Sequence, residues 1–372
     1  MDEQILLLQQ EYGFTVVGAE EVGGRTILTT NTGLYYLYTC PAAYRYKTTF
    51  VEKVRKHVVS KTDFGVLPFI RTLRGTSFVI DGDELLYVQR AIREAAVADM
   101  PFTTGQALAD FHAATGNFAG GTLYYPYRSL GSWPGMWRKR LQRYEDLRDR
   151  FDGETVVVSE FDEYLLTTFT YVHQLGEVAI KYLKDACYDR MIKVTEPFGK
   201  IAFQNFDYGY LLFDEDGSRH IAGQLNWVID MRTRDLGQWI KAEVRRNGWQ
   251  PDTVVRFLEG YNTVSPLLDD EYAVIYALLL YPGRYLRAVE TYSQLTAEER
   301  NAFDFFDWQA EMDQELHMMQ QVLRDYPEVI LKHFCVDIPR LHWLWRSPDD
   351  ETLYLRNEAA FSCDDSPDSA GC

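Results

Sequence analysis

Ile201-Ala202-Phe203-Gln204-Asn205-Phe206-Asp207-Tyr208-Gly209-Tyr210-Leu211-Leu212 carries the most informative pattern in the chain. It runs on through Phe213 and the acidic turn Asp214-Glu215-Asp216-Gly217 to His220-Ile221-Ala222-Gly223. Residues 209–213 and 220–223 are short β-type stretches on either side of a turn ending in glycine, so they read as a hairpin. Around this hairpin the pattern is helical. Apolar residues recur at helical spacing over 103–112, 137–150 and 160–186, and helices resume after 229 to about 345. Thr103 and Thr104 are the cap candidates for the first of these helices.

The first ninety residues have the opposite character. Thr15-Val16-Val17, Arg25-Thr26-Ile27-Leu28-Thr29 and Leu34-Tyr35-Tyr36-Leu37-Tyr38 are β-branched or aromatic runs, punctuated by Gly23-Gly24 and Asn31-Thr32-Gly33. A helix over 48–59 follows, with Phe50, Val51, Val54 and Val58 on one side, and then two strands around Asp81-Gly82-Asp83. A small sheet carrying one helix, followed by a large helical region with a hairpin in its middle, is the protein-kinase plan. The expected fold is therefore α+β and bilobal. The small β-rich N-lobe spans residues 1–90 and the mainly helical C-lobe spans 91–348. Residues 349–372 hold seven acidic residues against one base, Arg356, and read as a disordered tail.

Composition narrows the function. A net charge of −17 opposes nucleic acid and anionic membranes. Arg138-Lys139-Arg140, the densest basic run, reads as a solvated helix face. The longest apolar run, 273–281, stops at Pro282 and falls short of the roughly 20 residues a membrane span needs, so no membrane insertion is expected. Five scattered cysteines without C-x-x-C spacing indicate neither a zinc site nor a disulfide framework, and reduced thiols are expected.

The 201–212 stretch resembles the catalytic loop of aminoglycoside-phosphotransferase-type kinases, H-G-D-x-H-x-x-N followed by two apolar residues. Gln224-Leu225-Asn226-Trp227 resembles that family's I-D-[FW] metal motif, and Arg234-Asp235-Leu236-Gly237 its later Asp-Leu. Leu108-Ala109-Asp110-Phe111-His112, Leu280-Tyr281-Pro282-Gly283-Arg284-Tyr285 and Asp235-Leu236-Gly237-Gln238-Trp239 are similar to the CotS-type spore-coat proteins, above all their YutH-like branch. The likeness spans about residues 10–345.

Phosphoryl transfer requires a carboxylate to orient the nucleophile, a carboxylate and an amide for magnesium, and a lysine on the phosphates. Carried over position by position, the resemblance puts neutral Asn205 at the base and Phe203 at the histidine before it. Tyr210 falls at the metal amide, Asn226 at the metal carboxylate, and Tyr38 or a neighbour in Tyr35–Thr39 at the strand lysine. Neither an amide nor a phenol supplies the charge that hard Mg²⁺ requires. The resemblance thus implies a catalytically degraded kinase-like protein, a pseudokinase without cofactor, that binds other proteins. Its setting would be the mother-cell cytoplasm and then the spore coat.

The alternative is an active small-molecule phosphotransferase using Mg·ATP, with Asp207 and Asp230 converging as relocated acids. A third reading has Phe203, Tyr210 and Trp227 stacking on some other ligand. Asp235 is expected to cap a helix or brace the loop, His112 to be a buried hydrogen-bonded residue, and Glu52 to face solvent.

Overall fold

The computed structural model describes residues 2–22, 25–119, 121–150, 159–206 and 208–345. Asp207, the Gly23-Gly24 pair and the acidic tail lie outside them. The chain opens with α1 (Asp2–Tyr12), β1 (Val16–Val22), β2 (Arg25–Thr30), β3 (Gly33–Pro41), α2 (Thr48–Val59), β4 (Gly65–Val66), β5 (Val79–Asp81) and β6 (Glu84–Arg90). The middle holds α3 (Met100–Thr115), α4 (Trp133–Asp149), α5 (Glu160–Asp185), α6 (Tyr188–Thr195), β7 (Ile201–Phe203), β8 (Leu211–Phe213), β9 (Arg219–Ile221) and β10 (Trp227–Ile229). Helices α7 (Thr233–Asn247), α8 (Pro251–Val264), α9 (Asp269–Leu280), α10 (Gly283–Gln294), α11 (Ala297–Ala302) and α12 (Phe305–Phe334) follow.

Strands β1-β2-β3-β6-β5 form an antiparallel sheet in that order. Period-two alternation divides its residues between two faces. Tyr35, Leu86 and Val88 point to one face, where α1 covers them with Leu8 and Tyr12. Tyr36, Tyr38, Tyr87 and Gln89 point to the other, and Tyr38 sits opposite Tyr87 in the register. No strong pattern announces α1 in the sequence. It forms because Leu8 and Tyr12, one helical turn apart, bury themselves on the sheet.

Helix α3 starts earlier than the Thr103-Thr104 pair suggests. Asp99 caps it by accepting the Phe102 N–H at 3.3 Å, and Pro101 occupies its first turn. Ser159 and Asp162 form a capping box at the start of α5. The hairpin expected at 209–223 is β8 and β9, with β4 added in parallel at its far edge. Its first two expected residues belong instead to a 3-10 turn, Tyr208–Tyr210.

By packing, the chain divides into two compact units, Met1–Trp133 with Ile192–Leu268, and Pro134–Met191 with Asp269–Cys372. This division does not fall at residue 90. Helix α3 lies along α8, and β4 pairs with β9, so the sheet, the hairpin and the helices supporting them form a single unit. Cys40 and Cys335 are free thiols. Among the described residues no helix is long and apolar enough to cross a membrane.

Candidate functional site

All the positions singled out above in the loop and metal-type motifs belong to the first unit. Strand β7 is buried and pairs antiparallel with β10, Phe203 opposite Trp227. Helix α7 then holds the loop that follows. The Phe203 N–H donates to both Asp235 carboxylate oxygens, at 2.9 and 3.1 Å. Gln204 O accepts from Gln238 Nε2 at 2.7 Å and from Arg234 Nη2 at 3.1 Å.

Asp235 is in turn held by His112. His112 Nε2 lies 3.0 Å from Asp235 Oδ2, and its Nδ1 lies 2.8 Å from the Tyr261 hydroxyl on α8. Burial pushes the His112 pKa well below the ordinary value, and the nearby Arg232 charge lowers it further. The ring is therefore neutral. With its proton on Nε2 it donates to Asp235 and accepts from Tyr261. Burial likewise pushes the Asp235 carboxyl well up, against the lowering influence of the Phe203 N–H. His112 and Asp235 thus form a brace behind the loop, away from solvent.

Asp230, the other carboxylate considered for catalysis, is fully buried and already engaged. Its Oδ2 accepts from Trp133 Nε1 at 2.9 Å and from Arg234 Nη1, and its Oδ1 from the Met231 N–H at 2.9 Å. Asn205 is exposed.

The remaining positions come together around Tyr210. Its ring stacks on Phe203 with centroids 5.0 Å apart and planes 12° apart. Asn226 Nδ2 donates to its hydroxyl at 2.9 Å. The ring lies against Gly223, where φ is +67° and an added Cβ would sit 2.3 Å from the ring, so glycine is needed there both for the turn and for the close approach. Tyr38 reaches across from β3. Its hydroxyl donates to Gly209 O at 3.2 Å, and its ring stacks on Tyr87 at 5.1 Å and tilts toward Tyr210 at 6.0 Å. Phe203 and Trp227 are completely buried, with Phe111 against both, so their rings are core rather than stacking surface. Glu52 is exposed and pairs within its own helix to Arg55 and Lys56.

Two cations that the sequence reading did not single out complete the site. Lys47, 3% exposed, lies in the 3-10 turn after β3 and donates to Leu225 O at 2.5 Å, next to Asn226. Its ammonium is 4.3 Å from the centre of the Tyr44 ring. Burial draws its pKa from 10.5 down to about 7, the Cys40 thiol opposing and the Arg234 charge assisting. Arg25 extends from β2 so that its stem lies on Gly209, where an added Cβ would be 2.3 Å from Arg25 Cγ. Its guanidinium forms a bidentate pair with Glu94, at 2.5 and 2.8 Å, and sits over the Tyr36 ring. Tyr36 donates to the same carboxylate at 2.6 Å. Nothing in the local sequence marks Lys47 or Arg25, because the motif residues they touch are separated from them by more than 170 positions.

Gln89 on β6 ties the sheet to the metal-type motif. Its Nε2 donates to Gln224 Oε1 at 2.9 Å and to Leu67 O at 2.6 Å. Among the described residues no cluster of three His, Cys, Asp or Glu could hold a metal ion.

Comparison with known proteins agrees with this architecture. The chain is 28% identical over 210 residues to the endospore coat-associated protein YutH of Bacillus subtilis (strain 168), covering 55% of this chain and 58% of that protein. It is 26% identical over 159 residues to spore coat protein S of the same organism, covering 41% and 43%. These matches therefore take in only about half the length of each curated relative. In three dimensions it is similar to an aminoglycoside phosphotransferase from Alicyclobacillus acidocaldarius subsp. acidocaldarius DSM 446, with a TM-score of 0.60 and 14% identity over 89% of this chain and 97% of that one. That likeness establishes the kinase-like phosphotransferase fold, a small β-sheet N-lobe and a helical C-lobe. The model of the family described as spore coat putative kinase YutH matches residues 5–329, and the chain belongs to that family.

Proposed function

We propose that this protein is a kinase-like component of the spore coat that works by binding other proteins, its phosphoryl-transfer centre occupied by its own side chains. The observation that carries this reading is the Asn226–Tyr210 hydrogen bond of 2.9 Å. The two positions that would grip a cation are bonded to each other, and the ring of one lies flat on Phe203. A hard divalent ion is anchored by at least one carboxylate among its oxygen ligands, and an amide paired with a phenol supplies no such charge. Magnesium and nucleotide do not fit this donor set. Lys47 is tied to Leu225 O, and Arg25 lies over Gly209 and is bound to Glu94. Neither cation is disposed to receive a triphosphate.

The competing reading needs Asp230 to join Asp207 on a metal. Both Asp230 oxygens already accept hydrogen bonds, three in all, which argues against recruiting it. Titration of the whole protein with Mg·ATP, followed by thermal shift and by radiolabel transfer, tests the proposal. No shift and no transfer are expected, and stabilisation that depends on both magnesium and nucleotide would overturn it. Coat residence is tested separately by imaging a fluorescent fusion in sporulating cells, where a signal that stays dispersed in the mother cell counts against it.

A further inference from the structure

The chain is strongly acidic overall, yet one face of the first unit is cationic and rich in tyrosine. Residues 42–57 carry five bases (Arg45, Lys47, Lys53, Arg55 and Lys56) against one acid, Glu52. Lys47 is buried, which leaves four bases near the surface, and exposed Arg128 adds a fifth. On this face Arg55 and Lys56 share Glu52, just as Arg140 of the Arg138-Lys139-Arg140 run pairs with Glu290 at 3.4 Å.

Two 3-10 turns, Ala42–Lys47 and Thr122–Tyr127, form this face side by side. Tyr127 donates to Tyr46 O at 2.7 Å, and the Phe50 ring lies 5.2 Å from that of Tyr127. Tyr46 is 66% exposed and Tyr125 76%. Cations are interleaved with the rings. The Arg45 guanidinium lies 4.7 Å from the Tyr46 ring centre, and the Lys53 ammonium 5.0 Å from that of Tyr124. Exposed tyrosines with arginine among them are characteristic of the anchoring residues of protein interfaces.

The face therefore fits an extended acidic segment that also offers aromatic or apolar side chains. Residues 349–372 of this same chain have that composition. They carry seven acids and one base, together with Leu353, Tyr354, Leu355 and Phe361.

We propose that the C-terminal segment of one copy docks on the tyrosine-rich cationic face of a second copy. The charges are complementary, and the bulk repulsion between two acidic chains is screened beyond about 8 Å at physiological salt. Such a contact is head-to-tail. Each copy keeps one unoccupied face and one unengaged segment, so association continues without closing unless the contacts form a ring. The choice of a second copy as occupant rests on the coat-component reading, since a coat is built by repeated contacts.

Sedimentation velocity on the whole chain over a range of concentrations tests it. The wild-type protein is expected to grow in size with concentration at 0.05 M salt, where the screening length is about 14 Å, and growth is suppressed at 0.5 M salt, where it is about 4 Å. The variants Lys53→Glu/Lys56→Glu and Asp364→Lys/Asp365→Lys/Asp368→Lys should each weaken self-association at least tenfold with an unchanged melting temperature. Mixed together, these two variants should give a dimer that grows no further, because only one face and one segment remain competent. A wild-type chain that stays monomeric at every concentration overturns the proposal, and so does association that survives both charge reversals. A dispersed fluorescent fusion with self-association intact would count against coat residence alone.

Discussion

Lys47→Met, followed across pH, probes the closed site most directly. In the folded chain the Lys47 ammonium titrates at about 7 instead of 10.5, chiefly because it is buried. At about 1.4 kcal/mol for each tenfold change in acidity this difference amounts to roughly 5 kcal/mol. The sign follows from which state holds the proton. Below about pH 7 both states are protonated, and the folded protein bears the full cost of a buried charge. Between about 7 and 10.5 the unfolded chain keeps a proton that the folded chain has lost, so stability rises with pH, and above that window it levels off.

The assay is denaturant unfolding of the wild type and of Lys47→Met at intervals from pH 6 to 10.5. The wild-type stability minus that of the variant is expected to climb by several kcal/mol across the window. Taking the difference removes groups common to both proteins, including the Cys40 thiol, which burial pushes up to about 12. A carbon-13 signal from the Lys47 side chain, assigned by its absence in the variant, should move near pH 7. A flat difference, or a signal that moves only near 10.4, would refute the reasoning.

Three further outcomes are expected. Asp235→Ala strands two buried donors, Phe203 N–H and His112 Nε2, and should cost about 3 kcal/mol or more, whereas a loss below about 0.5 kcal/mol by denaturant unfolding would remove Asp235 as the loop's brace. Asn226→Asp alone should bring no manganese binding by electron paramagnetic resonance, because the Tyr210 ring still fills the site, while Asn226→Asp with Tyr210→Asn should bring measurable binding. Binding by the single variant would sink the idea that Tyr210 closes the site. Arg25→Ala removes the bidentate pair with Glu94 and the stem lying on Gly209, so amide exchange should quicken over residues 208–213, with a stability loss of about 1–3 kcal/mol. Unchanged exchange would show that Arg25 does not hold that turn.

Much of the site is found by reading along the chain, because the loop, the metal-type motif and the Arg234-Asp235 pair are local in sequence and keep a family's order and spacing. Tyr36 and Tyr38 are assigned to one face of the sheet by alternation alone. The ends of elements are less well marked. Helix α3 begins before the Thr103-Thr104 pair because Asp99 and Pro101 supply the cap, and α1 depends on the sheet that it covers. Lys47 could not be assigned in advance. A lysine within Tyr44-Arg45-Tyr46-Lys47 looks like any solvated base until the chain brings Leu225 O to it.

From residue order alone come the class of fold, the family and the identity of the side chains at each motif position, since these depend on spacing and on neighbours close along the chain. What those side chains do to one another was decided only in three dimensions. Asn226 meets Tyr210, Tyr38 meets Gly209, Lys47 meets Leu225 and Arg25 meets Glu94 across separations of 16 to 178 residues. Hydrogen bonds and ring contacts act over only a few ångströms, and folding the sheet against the hairpin is what brings these groups within that range.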